Sequence, residues 1–391
     1  MQTTSLILDS ADRTFPEFSL TRLLGTVFSP IRGSRIAILI DLDDPAKIRD
    51  FAYLEEDYDV QRYAYDVFYR GLHDGVMTEL ESRGGDIFAY ETTGGSNRNL
   101  PDLAVSPDGR DIRLERDVYA KYDIILCIST FSATAPLTAF AKQYGFRGAT
   151  LHGLNRVVLE SGLAVDYNDV AYDAEKLRRG LTRADRFEID FEFLGRRETL
   201  TLHTNRQEAQ KSQGLCHGLK PDVANLPAGE VYYVPAGAKG RFPLRYEHDG
   251  TLGLMEVNEG RIEQATLLRG DPDTVETHNR NIRNDPVTGE LGELGFGTQV
   301  LPVSGADIQD EKILGTLHVA TGRSDHLGGD LSPDRFEDSA NATHDDILFA
   351  PHKTPEINVP QVRMYRDQEK IVLIENYKPA EYMRGLLEAD D

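Results

Sequence analysis

The chain has 391 residues, of which 40% are hydrophobic and 28% charged, and its 65 acidic against 43 basic side chains give a net charge of −22. That length exceeds one ordinary core and points to about two domains of a soluble globular protein, while the acidic excess repels phosphate backbones and anionic lipid and so argues against nucleic acid or a membrane as partner. No apolar run of about 18 residues is present, and the N-terminal MQTTSLILDSADRTFPEF lacks the basic start and long apolar stretch of a signal peptide, so a cytoplasmic protein is expected.

Along the first half, RIAILIDL (35–42) reads as a buried strand, Tyr63, Ala64, Val67 and Phe68 recur at helical spacing, and DIFAYE (86–91) returns to strand. YDIILCIST (122–130), a helix around AFAKQYG, RGATLHG (147–153) and a helical AYDAEKLRRGLTRA (171–184) continue the alternation, which predicts an α/β sheet with flanking helices in a Rossmann-like layered arrangement. No G-x-G-x-x-G follows the first strand, so the layout brings no dinucleotide fingerprint. The two cysteines, Cys127 and Cys216, form no C-x-x-C pair and no disulfide framework; Cys127 reads as a small buried hydrophobe, and both are left outside the site.

After about residue 185 the texture changes. FEIDFEF (187–193) and ETLTLH (198–203) alternate strictly, and short strands such as VYYVP, TLGLMEV and QVRMY follow, which predicts a mostly antiparallel α+β half. The expected boundaries are 1–184 and 185–391. Eight of the ten histidines lie in the second part, which makes it the place to look for chemistry.

Four of its segments carry a polar residue where an apolar one is expected: LPAGEVYYVP with Glu230, LGELGFGTQ with Glu293, LGTLHVATG with His318, and THDDILFAP with His344 and Asp346. Singly each has a plain alternative: a turn cap, a solvated charge in a glycine loop, a core histidine, a surface pair. Together they abut strands that would hold ligands rigidly, and His344 and Asp346, two apart in a strand, face the same way while Asp345 faces away. Gly292 and Gly295 around Glu293 are expected to supply backbone flexibility. Two glutamates, two histidines and one aspartate suit Zn, Mn or Co, and suit two ions better than one; ions roughly 3.5–4 Å apart can share a bridging hydroxide.

These segments, in this order, resemble the metal-site motifs of the thermophilic aminopeptidase family of metallopeptidases, which includes aminopeptidases T and S and PepS. NLPAGEV matches its N-P-x-G-E-V, LGELGFGT its L-G-E-x-G-x-G-T, DEKILGTLH its D-E-K-x-x-G-T-x-H, and HDD its H-x-D, over about residues 220 to 350. The resemblance implies a C-terminal catalytic domain with two divalent ions held among Glu230, Glu293, His318, His344 and Asp346, a homodimer, and hydrolysis of small peptides or amides from the N-terminus, with Glu230 or Glu293 as proton shuttle. One position departs from the family: where it has a tyrosine, this chain has Asp325, in TGRSDHLGGD. A carboxylate with pKa about 4 cannot donate the hydrogen bond that a phenol with pKa about 10 can. Asp325 is therefore expected either to meet a cation, such as a substrate ammonium or Arg323, or to lie aside while His326 turns inward as donor.

The alternative on the same fold resembles 2,5-dihydroxypyridine dioxygenase, a ring-opening oxygenase with one non-haem iron, although in that branch the position of Glu293 is a histidine and those of Glu230 and His318 are not ligands. A non-catalytic peptide-binding protein is the third reading, and the five retained ligand positions argue against it, because buried carboxylates are costly without a cation.

Overall fold

The computed structural model describes residues 13–389. The chain is mixed α/β with three sheets among those residues. It divides into two compact units, and the division is discontinuous: one unit holds the chain up to Ala171 with Ser212–Ala228 and Val300–Asp310, and the other holds Tyr172–Lys211, Gly229–Gln299 and the chain from Glu311 onward. The sequence reading drew one crossing at 184/185; the chain instead first changes unit between Ala171 and Tyr172 and returns twice.

The first unit is built on β1 (Arg35–Leu42), β2 (Arg83–Glu91), β3 (Leu103–Val105), β4 (Asp111–Arg113), β5 (Ile124–Ser129), β6 (Arg147–His152) and β10 (Asp222–Asn225). Their order is β10-β6-β5-β1-β2-β3-β4. β2, β1, β5, β6 and β10 run parallel, and β3 and β4 close one edge antiparallel. A parallel sheet is covered on both faces, which is why β1 and β5 are apolar runs and not alternating ones. The helical spacing around residue 64 forms a short α-turn at Asp59–Tyr63 that widens into π turns at Ala64–Tyr69 and Leu72–Val76.

The second unit packs two sheets, the larger of them antiparallel throughout. The larger has order β14-β13-β12-β8-β7-β18-β19-β20, from β7 (Arg186–Phe193), β8 (Arg196–His203), β12 (Gly237–Arg245), β13 (Leu252–Asn258), β14 (Arg261–Arg269), β18 (Gln361–Arg366), β19 (Glu369–Glu375) and β20 (Lys378–Pro379). The smaller has order β17-β16-β15-β11-β9, from β9 (Gln210–Ser212), β11 (Glu230–Tyr233), β15 (Leu291–Gly297), β16 (Leu317–Gly322) and β17 (His344–Phe349). The alternation of FEIDFEF delivers Phe187, Ile189, Phe191 and Phe193 to a shared core, where Phe187 meets Phe296 at 5.5 Å between ring centres and Phe191 meets Phe349 at 4.8 Å. Face-to-face packing of this kind leaves the far face of the smaller sheet for other work. Among the described residues no helix is long and apolar enough to cross a membrane.

Candidate metal centre

Strand periodicity brings the ligand-type residues together. Along β11, β15, β16 and β17 successive side chains face opposite ways; Val231, Tyr233, Leu294, Phe296, Leu317, Val319 and Phe349 enter the core. Glu230, Glu293, His318, His344 and Asp346 therefore share the other face. Register fixes their spacing: Glu293 and Asp346 both pair with Ala320, from opposite sides, while His318 pairs with Gly295 and Glu230 with Gly297. The small residues between the ligands are room for them. A Cβ on Gly295 would lie 2.1 Å from Cε1 and 2.3 Å from Nε2 of His318, so the imidazole occupies the place of the missing side chain. This corrects the expectation of flexibility around Glu293, since neither Gly292 nor Gly295 has positive φ. Gly229 does need its backbone freedom: φ is 121°, and a Cβ there would lie 2.4 Å from Gln299 Cγ.

All five sequence-predicted ligands converge. His318 Nε2 lies 3.5 Å from Glu293 Oε1, 3.9 Å from Asp346 Oδ1 and 4.0 Å from Glu230 Oε2. His344 Nε2 lies 3.0 Å from Glu293 Oε2 and 3.4 Å from Asp346 Oδ1. On its other edge the His344 ring donates from Nδ1 to the Arg323 carbonyl at 2.6 Å, which fixes the tautomer and aims Nε2 inward. Four of the five are buried, and the Asp346 side chain, 31% exposed, marks the open side. Burial opposes charge throughout, yet the two imidazoles hold Glu293 below the usual carboxylate range, and Glu293 and Asp346 lift His318 to about 10 and His344 well above its ordinary value. A cation entering this cluster displaces protons from both rings.

Asp325 meets Arg323, the first of its expected partners: the buried guanidinium donates to both carboxylate oxygens, at 2.6 and 3.1 Å. His326 also turns inward, with its ring perpendicular to that of His344 and 4.9 Å away between centres. Sequence reasoning missed two buried neighbours, Glu311 and Lys312. The Lys312 ammonium lies 2.5 Å from both Glu230 Oε2 and Glu311 Oε1. Burial works against its charge, but the two carboxylates hold it above its ordinary range. Nothing local in DEKILGTLH distinguishes this pair from a solvated one, since the partner that meets Lys312 there, Glu230, is far away in the chain.

Three trios of ligand atoms lie within 4.8 Å of one another: Glu230, Glu293 and His318; Glu293, His344 and Asp346; and Glu311, His318 and Asp346. Glu293 Oε1 is buried without a hydrogen-bond partner. Mixed imidazole and carboxylate donors suit Zn, Mn, Co or Fe, so the residues fit a divalent ion. Fold and site thus define a mixed α/β protein with a strand-borne carboxylate and imidazole cluster able to hold metal. No protein-family model and no curated protein matches the sequence. The fold is similar to that of 2,5-dihydroxypyridine dioxygenase from Pseudomonas putida KT2440, with a TM-score of 0.55 over 90% of this chain and 93% of that one, at 13% identity. At that identity the likeness concerns the fold.

Proposed function

We propose that this protein is a metal-dependent enzyme whose reaction takes place beside Glu293, His318, His344 and Asp346. The observation that carries the reading is the convergence of these side chains with Glu230 on one sheet face, three of them within 4.8 Å in each of two overlapping groups that share Glu293. Clustered buried carboxylates are costly unless a cation compensates them, and the single ammonium of Lys312 meets only Glu230 and Glu311 among them. A divalent ion bound here supplies a Lewis acid and, when it is iron, a redox centre. The chain's own residues orient it: Arg323 fixes His344, Gly295 seats His318, and the partly exposed Asp346 faces the side from which a small substrate arrives.

Of the chemistries open to such a centre, ring opening of a dihydroxylated aromatic by dioxygen has the fold comparison behind it. The peptide or amide hydrolase is the second reading, and the geometry of the trios favours it, because each trio contains one histidine and none contains both. On that arrangement Glu230, Glu293 and His318 would hold one ion and His344 and Asp346 would help to hold a second, in place of one iron held by two histidines and a carboxylate. Metal analysis of the purified protein, with assays on 2,5-dihydroxypyridine and on aminoacyl amides with and without oxygen, separates them. The oxygenase reading expects one Fe(II) and strict oxygen dependence; the hydrolase reading expects two ions and indifference to oxygen. Protein that takes up no divalent metal would end both.

A further inference from the structure

The departure at Asp325 raises the question of which side chain beside the centre meets the bound small molecule. Asp325 is committed to Arg323 through two hydrogen bonds and has little left to offer. Its neighbour is not so committed. The turn Asp325–Leu327 is pinned by its backbone: Ser324 and Asp325 N–H donate to the Leu331 carbonyl at 2.9 and 3.2 Å, and Leu327 and Gly329 N–H donate to the Ser324 carbonyl at 2.9 and 3.0 Å. This holds the His326 ring edge-on to His344, at 88° and 4.9 Å between centres, beside a ligand of the centre. Nδ1 of His326 is buried and has no hydrogen-bond partner. Buried polar atoms are rarely left so, and at a functional site the missing partner is commonly the ligand. A neutral imidazole offers one N–H donor and one acceptor.

We propose that His326 is a substrate-positioning residue whose imidazole hydrogen-bonds an oxygen of the small molecule bound at the Glu293 and Asp346 centre. The inference rests on the metal-centre reading and adds to it the chemical class of the ligand, a small molecule with a carbonyl, hydroxyl or carboxylate oxygen next to the group that meets the ion. It differs from a packing role, in which the ring serves only as an edge against His344. An amide side chain replaces the donor without the aromatic edge, and a phenyl ring replaces the edge without the donor.

The test uses the full chain loaded with Co(II), with acetohydroxamate as the oxygen-rich probe and its binding followed by visible absorption. His326→Ala, His326→Phe and His326→Gln should each still bind Co(II), because His326 is not a ligand and His344 stays fixed through Nδ1 by the Arg323 carbonyl. Acetohydroxamate should bind roughly tenfold to a hundredfold more weakly to the Ala and Phe variants, the loss expected for one hydrogen bond to a charged ligand, with most of the affinity restored by Gln. Unchanged affinity in Ala and Phe, or rescue by Phe and not by Gln, overturns the proposal in favour of packing. Wild-type protein that binds no Co(II) overturns the metal-centre reading itself, a failure recognisable before any probe is added.

Discussion

Replacing Gly295 by alanine tests the site without touching a ligand. The added Cβ would stand 2.1, 2.3 and 2.9 Å from Cε1, Nε2 and Nδ1 of His318. Ordinary contact between such atoms is about 3.5 Å, so the ring must retreat by roughly 1.4 Å or the two strands must part locally. A metal–imidazole bond of about 2.0–2.1 Å tolerates about 0.2 Å of misplacement. The required retreat is several times larger, and His318 is lost as a donor. Disturbing even outer partners of a metal site costs about 10–100-fold in affinity, so Gly295→Ala should weaken divalent ion binding by at least about 100-fold. Overpacking should also cost about 1–3 kcal/mol of stability. Equilibrium titration with Zn(II) or Co(II), beside a thermal melt, reads both effects. Gly237→Ala is the control, since a Cβ there meets nothing within 4 Å. Wild-type metal affinity in a folded Gly295→Ala protein would refute the placement of His318 in the centre.

Three other perturbations reach different parts of the structure. Lys312→Met leaves Glu230 and Glu311 buried without their ammonium, so metal-free protein should lose about 3–5 kcal/mol in urea unfolding; an unchanged midpoint would mean the pair needs no cation. In the larger sheet, Arg363 donates to both oxygens of Asp190 and to Glu188, and Arg363→Met should likewise cost about 3–5 kcal/mol near neutral pH. Arg363 is the chief cause holding Asp190 below its ordinary value. That stabilisation is complete above the unfolded pKa of about 3.9 and is lost as pH falls through the lower folded pKa, so wild type should show a steeper acid loss than the variant. Finally, Cys127 and Cys216 are buried, and burial raises the Cys127 thiol to about 11 and Cys216 above its ordinary value too. Native protein should react with a thiol reagent at neither position, and two thiols should appear on unfolding; fast native labelling would contradict their placement.

How far the sequence was legible depends on whether local pattern decided the outcome. RIAILIDL and FEIDFEF wear their environments openly, one covered on both faces and one on a single face, because burial of a strand writes itself into its period. The ligand positions were legible for a related reason: a charge inserted into a core-period strand is conspicuous. The start of β16 at Leu317 was less legible, because Gly315, with φ of 99°, turns the backbone inside an otherwise strand-like run. Lys312 could not be read locally, since its burial comes from Glu230, 82 residues away. Nor could the chain's returns at Ser212–Ala228 and Val300–Asp310, which have no compositional mark of their own. The Arg323 to Asp325 pair and the inward His326 were posed as alternatives and both occur, because a bidentate ion pair two residues apart and a ring on the next residue point different ways from one short turn.

The rungs of the smaller sheet act as a ruler that is indifferent to chain length. Glu293, Ala320 and Asp346 lie across one rung and His318 faces Gly295 two rungs along, so ligand spacing is set by hydrogen-bonded neighbours and not by the peptide between them. Between β11 and β15 the chain can carry three further strands, and between β16 and β17 the whole turn with Arg323, Asp325 and His326, while the cradle keeps its dimensions. Those connections can therefore vary in length without altering the ligand spacing, provided that β12–β14 keep their places in the larger sheet and the Arg323 carbonyl still meets His344. A slip of one residue in any of the four ligand strands would instead turn its donors into the core and lose the centre at a stroke.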